Sequence, residues 1–142
     1  MTIARVIQGR NGEVWCCSPQ DSVGSAITML AERRIGALPV VERGQVVGIF
    51  SERDVVRRLA DLGPALLNST VGAIMTSPVE TVDTETDVIG ALGIMTTRRF
   101  RHLPVVEGGT MVGFVSIGDL VKYRIERIEA DAEAMRSYIQ SA

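Results

Sequence analysis

Apolar positions along this chain keep two different periods, and the same succession of periods occurs twice. Val23, Ala26, Ile27, Leu30 and Ala31 recur at helical spacing behind Asp21 and Ser22, two good N-cap types, so the pattern predicts a helix running to about Arg34. Pro39 cannot continue that helix. The runs LPVVE and VVGIFS, rich in β-branched residues and joined across RGQ, predict a short β-hairpin. The stretch ERDVVRRLADL follows as a second helix, stopped by Gly63 and Pro64. The succession then restarts, with a helix over about 87–99, a hairpin across EGGT and a helix beginning near Ile117. In that last helix Leu120, Val121, Ile125, Ile128, Ala132, Met135 and Ile139 carry an apolar stripe almost to the end of the chain, which outruns the domain.

Shifting the chain by 65 positions aligns residues 14–56 with 79–121 without a gap, and 16 of the 43 pairs are identical. They include Arg33/Arg98, Arg34/Arg99, the whole LPVVE run, Gly48/Gly113, Ser51/Ser116 and Asp54/Asp119. A match that long without insertions means two copies of one supersecondary unit. Val14, Trp15, Cys16 and Cys17 are expected in a buried strand that opens the first copy, making each unit β-α-β-β-α. The fold class is therefore α+β, two tandem units in a pseudo-two-fold arrangement with an extended C-terminal helix. The first unit takes residues 1–64 and the second residues 65–142, which include the connector LGPALLNSTVGAIMTSP. Neither copy is large enough to bury a good core alone, so the two form one compact module.

Composition narrows the function classes. With 46% hydrophobic and 23% charged residues the chain is a folded globular protein rather than a disordered one. No apolar run approaches the roughly 20 residues needed to cross a bilayer, and the N-terminus lacks a long apolar leader, so a cytoplasmic location and no membrane partner are expected. The net charge of −2 speaks against nucleic acid as a partner, and Arg53, Arg57 and Arg58 are interleaved with Glu52, Asp54 and Asp61. A single histidine, an adjacent cysteine pair, and the lack of a phosphate-loop or nucleophile-elbow motif leave no basis for an enzyme or a metal site.

The candidate chemistry lies in SERD and SIGD, each at a strand-to-helix junction. One reading is a helix N-terminus, with Ser51 or Ser116 as N-cap and Asp54 or Asp119 favouring the positive end of the dipole. The other starts from the same geometry: an ionised aspartate only accepts hydrogen bonds, so it suits a ribose cis-diol, while the serine and the helix amides suit a phosphate or sugar beside it. Just before the second LPVV stand Arg101 and His102, whose counterparts are Gly36 and Ala37; nothing in a shared fold demands charge there, and both are suitable phosphate partners. Arg33, Arg34, Arg98 and Arg99 fall at helix C-termini, where cations favour the dipole, and read as mainly structural.

These residues carry a family resemblance. DSVGSAITMLAERRIGALPVVERGQVVGIFSERDVV and its echo TDVIGALGIMTTRRFRHLPVVEGGTMVGFVSIGDLV resemble a tandem pair of cystathionine-β-synthase (CBS) domains over about residues 5 to 130. The resemblance implies a regulatory, signal-transducing module that binds an adenosine ligand between the copies, AMP foremost, with NAD, ATP, ADP or S-adenosylmethionine as alternatives. It implies one cleft with Ser116 and Asp119 on the sugar, Arg101 and His102 on phosphate, and Ile35, Gly36 and Ala37 along the base. The mirrored cleft takes Ser51 and Asp54, with Phe100 near the base and Arg53 supplying the charge that Gly36 and Ala37 lack. The chain resembles the stand-alone members, which implies a homodimer acting on an effector protein in trans. A ligand-free scaffold, in which both Ser-x-x-Asp sites are only caps, stands as the alternative.

Overall fold

The computed structural model describes residues 1–8 and 14–141. Helix α1 spans Ile3–Gln8 and helix α2 Val23–Arg33. The Ser22 side chain accepts from the Ser25 amide at 3.1 Å, and Arg34 closes α2 in the left-handed conformation at φ 54°. Strands β1 (Ala37–Glu42) and β2 (Gln45–Ser51) form an antiparallel hairpin, followed by α3 (Glu52–Leu62). The second unit repeats this as α5 (Val88–Arg98), β3 (His102–Glu107), β4 (Thr110–Ser116) and the 25-residue α6 (Ile117–Ser141). Even the irregularities are duplicated: the register shifts between Val40 and Val41 and between Val105 and Val106. Each hairpin turns through two residues at positive φ, Arg43 and Gly44 in one, Gly108 and Gly109 in the other, whose twist matches that of the flanking strands.

The opening strand of each unit is reduced to one bridge residue. Cys17 donates its amide to Pro39 O at 3.1 Å and accepts from Val41 N at 2.8 Å; Val82 does the same with Pro104 and Val106, at 3.0 and 2.8 Å. The expectation of a buried strand over Val14, Trp15, Cys16 and Cys17 is corrected accordingly. Cys17 is buried, but Cys16 and Trp15 are exposed. A single bonded residue gives Cys16 no partner strand, and side chains of extended backbone alternate between faces. Trp15 instead lies under the Arg33 guanidinium, 3.6 Å from ring centroid to Cζ. Burial, with Asp21 and Cys16 nearby, pushes the Cys17 thiol up to about 12, which leaves it an unreactive core group.

The connector is more structured than its composition suggests. A 3-10 helix covers Gly63–Asn68 and helix α4 covers Val71–Ile74. Leu66, Val71 and Ile74 are buried against Val23, Ala26, Leu38, Val40 and Phe50, in the core of the first unit. Helix α1, which the periodicity above left unread, performs the same service for the second unit: Ile3 is fully buried among Val88, Ala91, Leu103, Val115 and Leu120. The hydrogen bonds match. Val23 N donates to Ser69 O at 2.8 Å and Val88 N to Met1 O at 3.1 Å, with bridges between Ser22 and Thr70 and between Thr2 and Asp87. Each unit thus completes its core with a segment that precedes the other unit in sequence, which ties the two into one module. No described helix is long and apolar enough to cross a membrane.

Candidate functional site

Both Ser-x-x-Asp sequences sit where a hairpin ends and a helix starts. Strand β2 delivers Ser51 in extended conformation (φ −134°, ψ 164°), and its hydroxyl accepts from Asp54 N at 3.3 Å. The Asp54 carboxylate returns the contact: Oδ2 accepts from Ser51 N at 2.9 Å and from Ser51 Oγ at 3.1 Å. Thr76, arriving from the connector, donates its hydroxyl to Asp54 Oδ1 at 2.9 Å. With 7% exposure, Asp54 is the buried charged residue among those described. A carboxylate offers about four lone-pair sites, and three are thus occupied within the protein. In the second unit Ser116 N donates to Asp119 Oδ2 at 2.7 Å and Asp119 N to Ser116 Oγ at 3.0 Å; this aspartate is half-buried.

The residues that precede β1 and β3 reach the same junctions through their carbonyls. Glu52 N donates to Gly36 O at 3.0 Å and Ile117 N to Arg101 O at 2.8 Å, so each first-turn amide is tied to the chain just before its own hairpin. Gly36, Arg101 and His102 thereby come together at the seam between the units, whereas Ala37, the counterpart of His102, is buried at the start of β1. A Cβ added to Gly36 would lie 3.8 Å from His102 Cε1 and 3.6 Å from Glu52 Oε1. The His102 ring stacks on Phe114, with centroids 5.4 Å apart and planes 15° from parallel. Burial holds the imidazole below the ordinary histidine range; the carboxylates of Asp119 and Glu52 pull the other way, and Arg101 adds to the lowering.

Across this seam runs a cleft of about 750 Å³, of the size that holds a small ligand. One wall comes from the first unit, with Gly36, Ser51, Arg53, Asp54 and Arg57, and a second from the connector, with Thr76 and Pro78. The facing wall is the end of α5 and the start of β3, from Arg98 through Phe100 to His102. Five arginines, Arg53, Arg57, Arg98, Arg99 and Arg101, line the cleft with two carboxylates, Glu52 and Asp54, an excess of positive charge that attracts an anion. Arg98 also contacts Glu80 at 3.4 Å, and Arg99 holds the left-handed position that ends α5, at φ 60°.

The structure brings together Ser51, Arg53, Asp54, Gly36, Phe100, Arg101 and His102 along this one cleft. The resemblance paired Arg101 and His102 with Asp119; here their side of the seam faces Asp54, while Ser116 and Asp119 stand outside the lining and Asp119 acts on His102 electrostatically. Ile35 packs against the first core and borders a smaller apolar groove with Ile27, Leu30, Val55 and Val56, and Ala37 is buried at the start of β1. Thr76 is the residue that sequence reasoning missed. Its signal was faint: one threonine in a connector, 22 residues from the aspartate it holds.

Comparison with known proteins yields a consistent result. A family model described as CBS domain matches residues 10–61 and 71–126. The CBS domain-containing protein CBSX3, mitochondrial, of Arabidopsis thaliana is 34% identical, covering 98% of this chain and 72% of that protein. Among solved structures, the CBS-domain containing protein ATU1752 from Agrobacterium tumefaciens superposes with a TM-score of 0.83 at 37% identity, over 87% of this chain and 99% of the other. CBSX2, solved in complex with AMP, superposes with a TM-score of 0.68 at 27% identity, over 80% of this chain and 88% of the other.

Proposed function

The chain belongs to the CBS domain family, with two copies of the domain in tandem, and on that premise we propose that it is a regulatory module that binds an adenine nucleotide in the cleft between its two units. AMP is the favoured ligand, with NAD or ATP/ADP as alternatives. The observation that carries this reading is the pairing, across one seam, of an N-terminal helix junction holding Asp54 with a wall of arginines from the other unit. In this reading Asp54 uses its remaining lone pair on a ribose hydroxyl, Ser51 and Arg53 flank the sugar–phosphate link, and Arg101 and His102 meet the phosphate. Phe100, with Gly36 opposite, borders the base. Ser116 and Asp119 serve the mirrored junction. Ile35 and Ala37 shape the strand that presents Gly36.

Such a module regulates rather than catalyses: a nucleotide that bridges the units favours one arrangement over another by its differential affinity for the two, and an effector protein reads the result in trans. A homodimer in the cytoplasm is the assembly this reading takes. The complex of CBSX2 with AMP supports the ligand class.

Calorimetric titration of protein refolded free of carried-over ligand tests it. AMP should give saturable heat, and Arg101→Ala should weaken binding about tenfold, the effect of a charge-assisted contact of about 1.4 kcal/mol. Absence of heat with AMP, NAD, ADP and ATP alike would refute the reading. One observation favours the alternative, a ligand-free scaffold: Asp54 is already held by Ser51 and Thr76 as a cap. That alternative predicts a thermal midpoint unmoved by nucleotides, whereas a ligand of the folded state raises it.

A further inference from the structure

Helix α6 leaves one face uncovered by its own module. Val121 is 42% exposed, Ile125 51%, Ile128 50%, Met135 60% and Ile139 65%. With Ala132 they recur at steps of four, three, four, three and four residues, the 3.5-residue period of a coiled-coil seam. At 100° per residue all six fall within about 40° of the seam centre. Leu120, fully buried in the second core, and Tyr123, packed against that core, lie about 100° and 160° away, so the module covers other sides of the helix and leaves the stripe to a partner helix.

The flanking charges select the partner and its direction. Lys122, Glu129 and Arg136 line one edge of the stripe, and Arg124 and Asp131 the other. In a parallel, in-register pair each residue of the second edge faces the residue five positions on in the other chain. Arg124 then faces the partner subunit's Glu129, and Asp131 faces the partner subunit's Arg136; both pairs are attractive, and two-fold symmetry makes each occur twice. An antiparallel pair with full overlap instead sets Glu129 against the partner subunit's Glu129, Asp131 against the partner subunit's Asp131 and Lys122 near the partner subunit's Arg136, all of like charge. The present contacts of these arginines are weak ones to exchange: Arg124 lies 3.8 Å from Met1 Sδ, and Arg136 reaches Glu133 at 3.1 Å with both side chains 70% exposed.

We propose that the occupant of this face is a second copy of the chain, and that two α6 helices pair as a parallel, in-register coiled coil that sets both nucleotide clefts at the same end of the dimer. This deepens the homodimer of the proposed function and rests on it. The test is sedimentation equilibrium at low ionic strength, where charge pairing is least screened. The wild-type chain should be a dimer. Ile128→Asp, at a half-exposed position that leaves the module folded by circular dichroism, should be a monomer. Asp131→Arg and Arg136→Glu should each raise the dimer dissociation constant about tenfold, since each turns two attractive pairs into repulsive ones. An equimolar mixture of those two variants should recover wild-type affinity, because every new arginine then faces a new glutamate. A wild-type monomer would sink the homodimer itself. A dimer indifferent to Ile128→Asp keeps the homodimer and overturns the α6 seam; a trimer, or a mixture that stays dissociated, overturns the parallel pairing.

Discussion

Replacing Thr76 by Val removes one hydroxyl and almost nothing else, and the structure assigns that hydroxyl a definite task. It donates to Asp54 Oδ1 at 2.9 Å, and Asp54 is 7% exposed, so the carboxylate oxygen loses a donor in a place where water has limited access. A hydrogen bond to a charged group contributes about 1.5–3 kcal/mol, and Thr76 itself is exposed, which permits partial rehydration and puts the loss near the lower end, about 1.5 kcal/mol. For a module of this size that is a fall in the thermal midpoint of roughly 4–6 °C. Asp54→Asn weakens the same bond by removing the charge and also weakens the bonds from Ser51 N and Ser51 Oγ, so it should cost more, about 2 kcal/mol. Because the two residues share a bond, the losses should not add. Urea unfolding of the wild type, both single variants and the double variant should give a coupling energy of about 1 kcal/mol. Nucleotide binding should part company with stability: Thr76→Val frees an acceptor site on Asp54 and leaves AMP affinity intact or improved, while Asp54→Asn lowers both. Additive losses within about 0.3 kcal/mol would refute the claim that Thr76 and Asp54 act as one coupled unit.

Three further outcomes follow from the packing and the charges. Gly48→Ala should destabilise by about 1–3 kcal/mol, since its Cβ would meet Met75 Sδ at 2.5 Å and Thr76 O at 3.1 Å; Gly113→Ala, whose Cβ would meet Ile7 Cγ2 at 3.1 Å, Ile7 Cδ1 at 3.4 Å and Val105 Cβ at 3.6 Å, should cost less, as read from denaturant midpoints. Phe50→Ala should cost about 3–5 kcal/mol, because the ring is fully buried in the first core. His102, held below its ordinary range by burial, takes up its proton in the unfolded chain first; stability should therefore fall as pH drops through about 6.5 toward the folded-state value, and His102→Gln should remove that part of the slope in unfolding curves at several pH values.

Local chemistry carries far in this chain. Helix α3 occupies the stretch its composition marks, between Ser51 as cap and Gly63 as stop, because N-capping and glycine termination act over a few residues. Both hairpins follow from β-branched runs around short polar turns, and the gapless duplication fixes the pseudo-two-fold without any long-range information. The aspartates at the helix starts are equally legible, since a capping box is a contact between residues three apart.

What tertiary structure alone decided is which distant segments meet. Nothing in MTIARVI says that Ile3 lies in the core of the second unit, although Ile3, Val6 and Ile7 carry helical spacing, and nothing in the connector says that Leu66, Val71 and Ile74 complete the first. Cys16 and Trp15 face outward because the opening strand bonds through a single residue, a matter of sheet register rather than of propensity. Likewise the partnership of Arg101 and His102 with the Asp54 side of the seam depends on how the two hairpins are set against each other. Periodicity reports which face of an element is apolar; it holds no information on which other face will cover it, and a binding cleft is made of the places where such faces leave room.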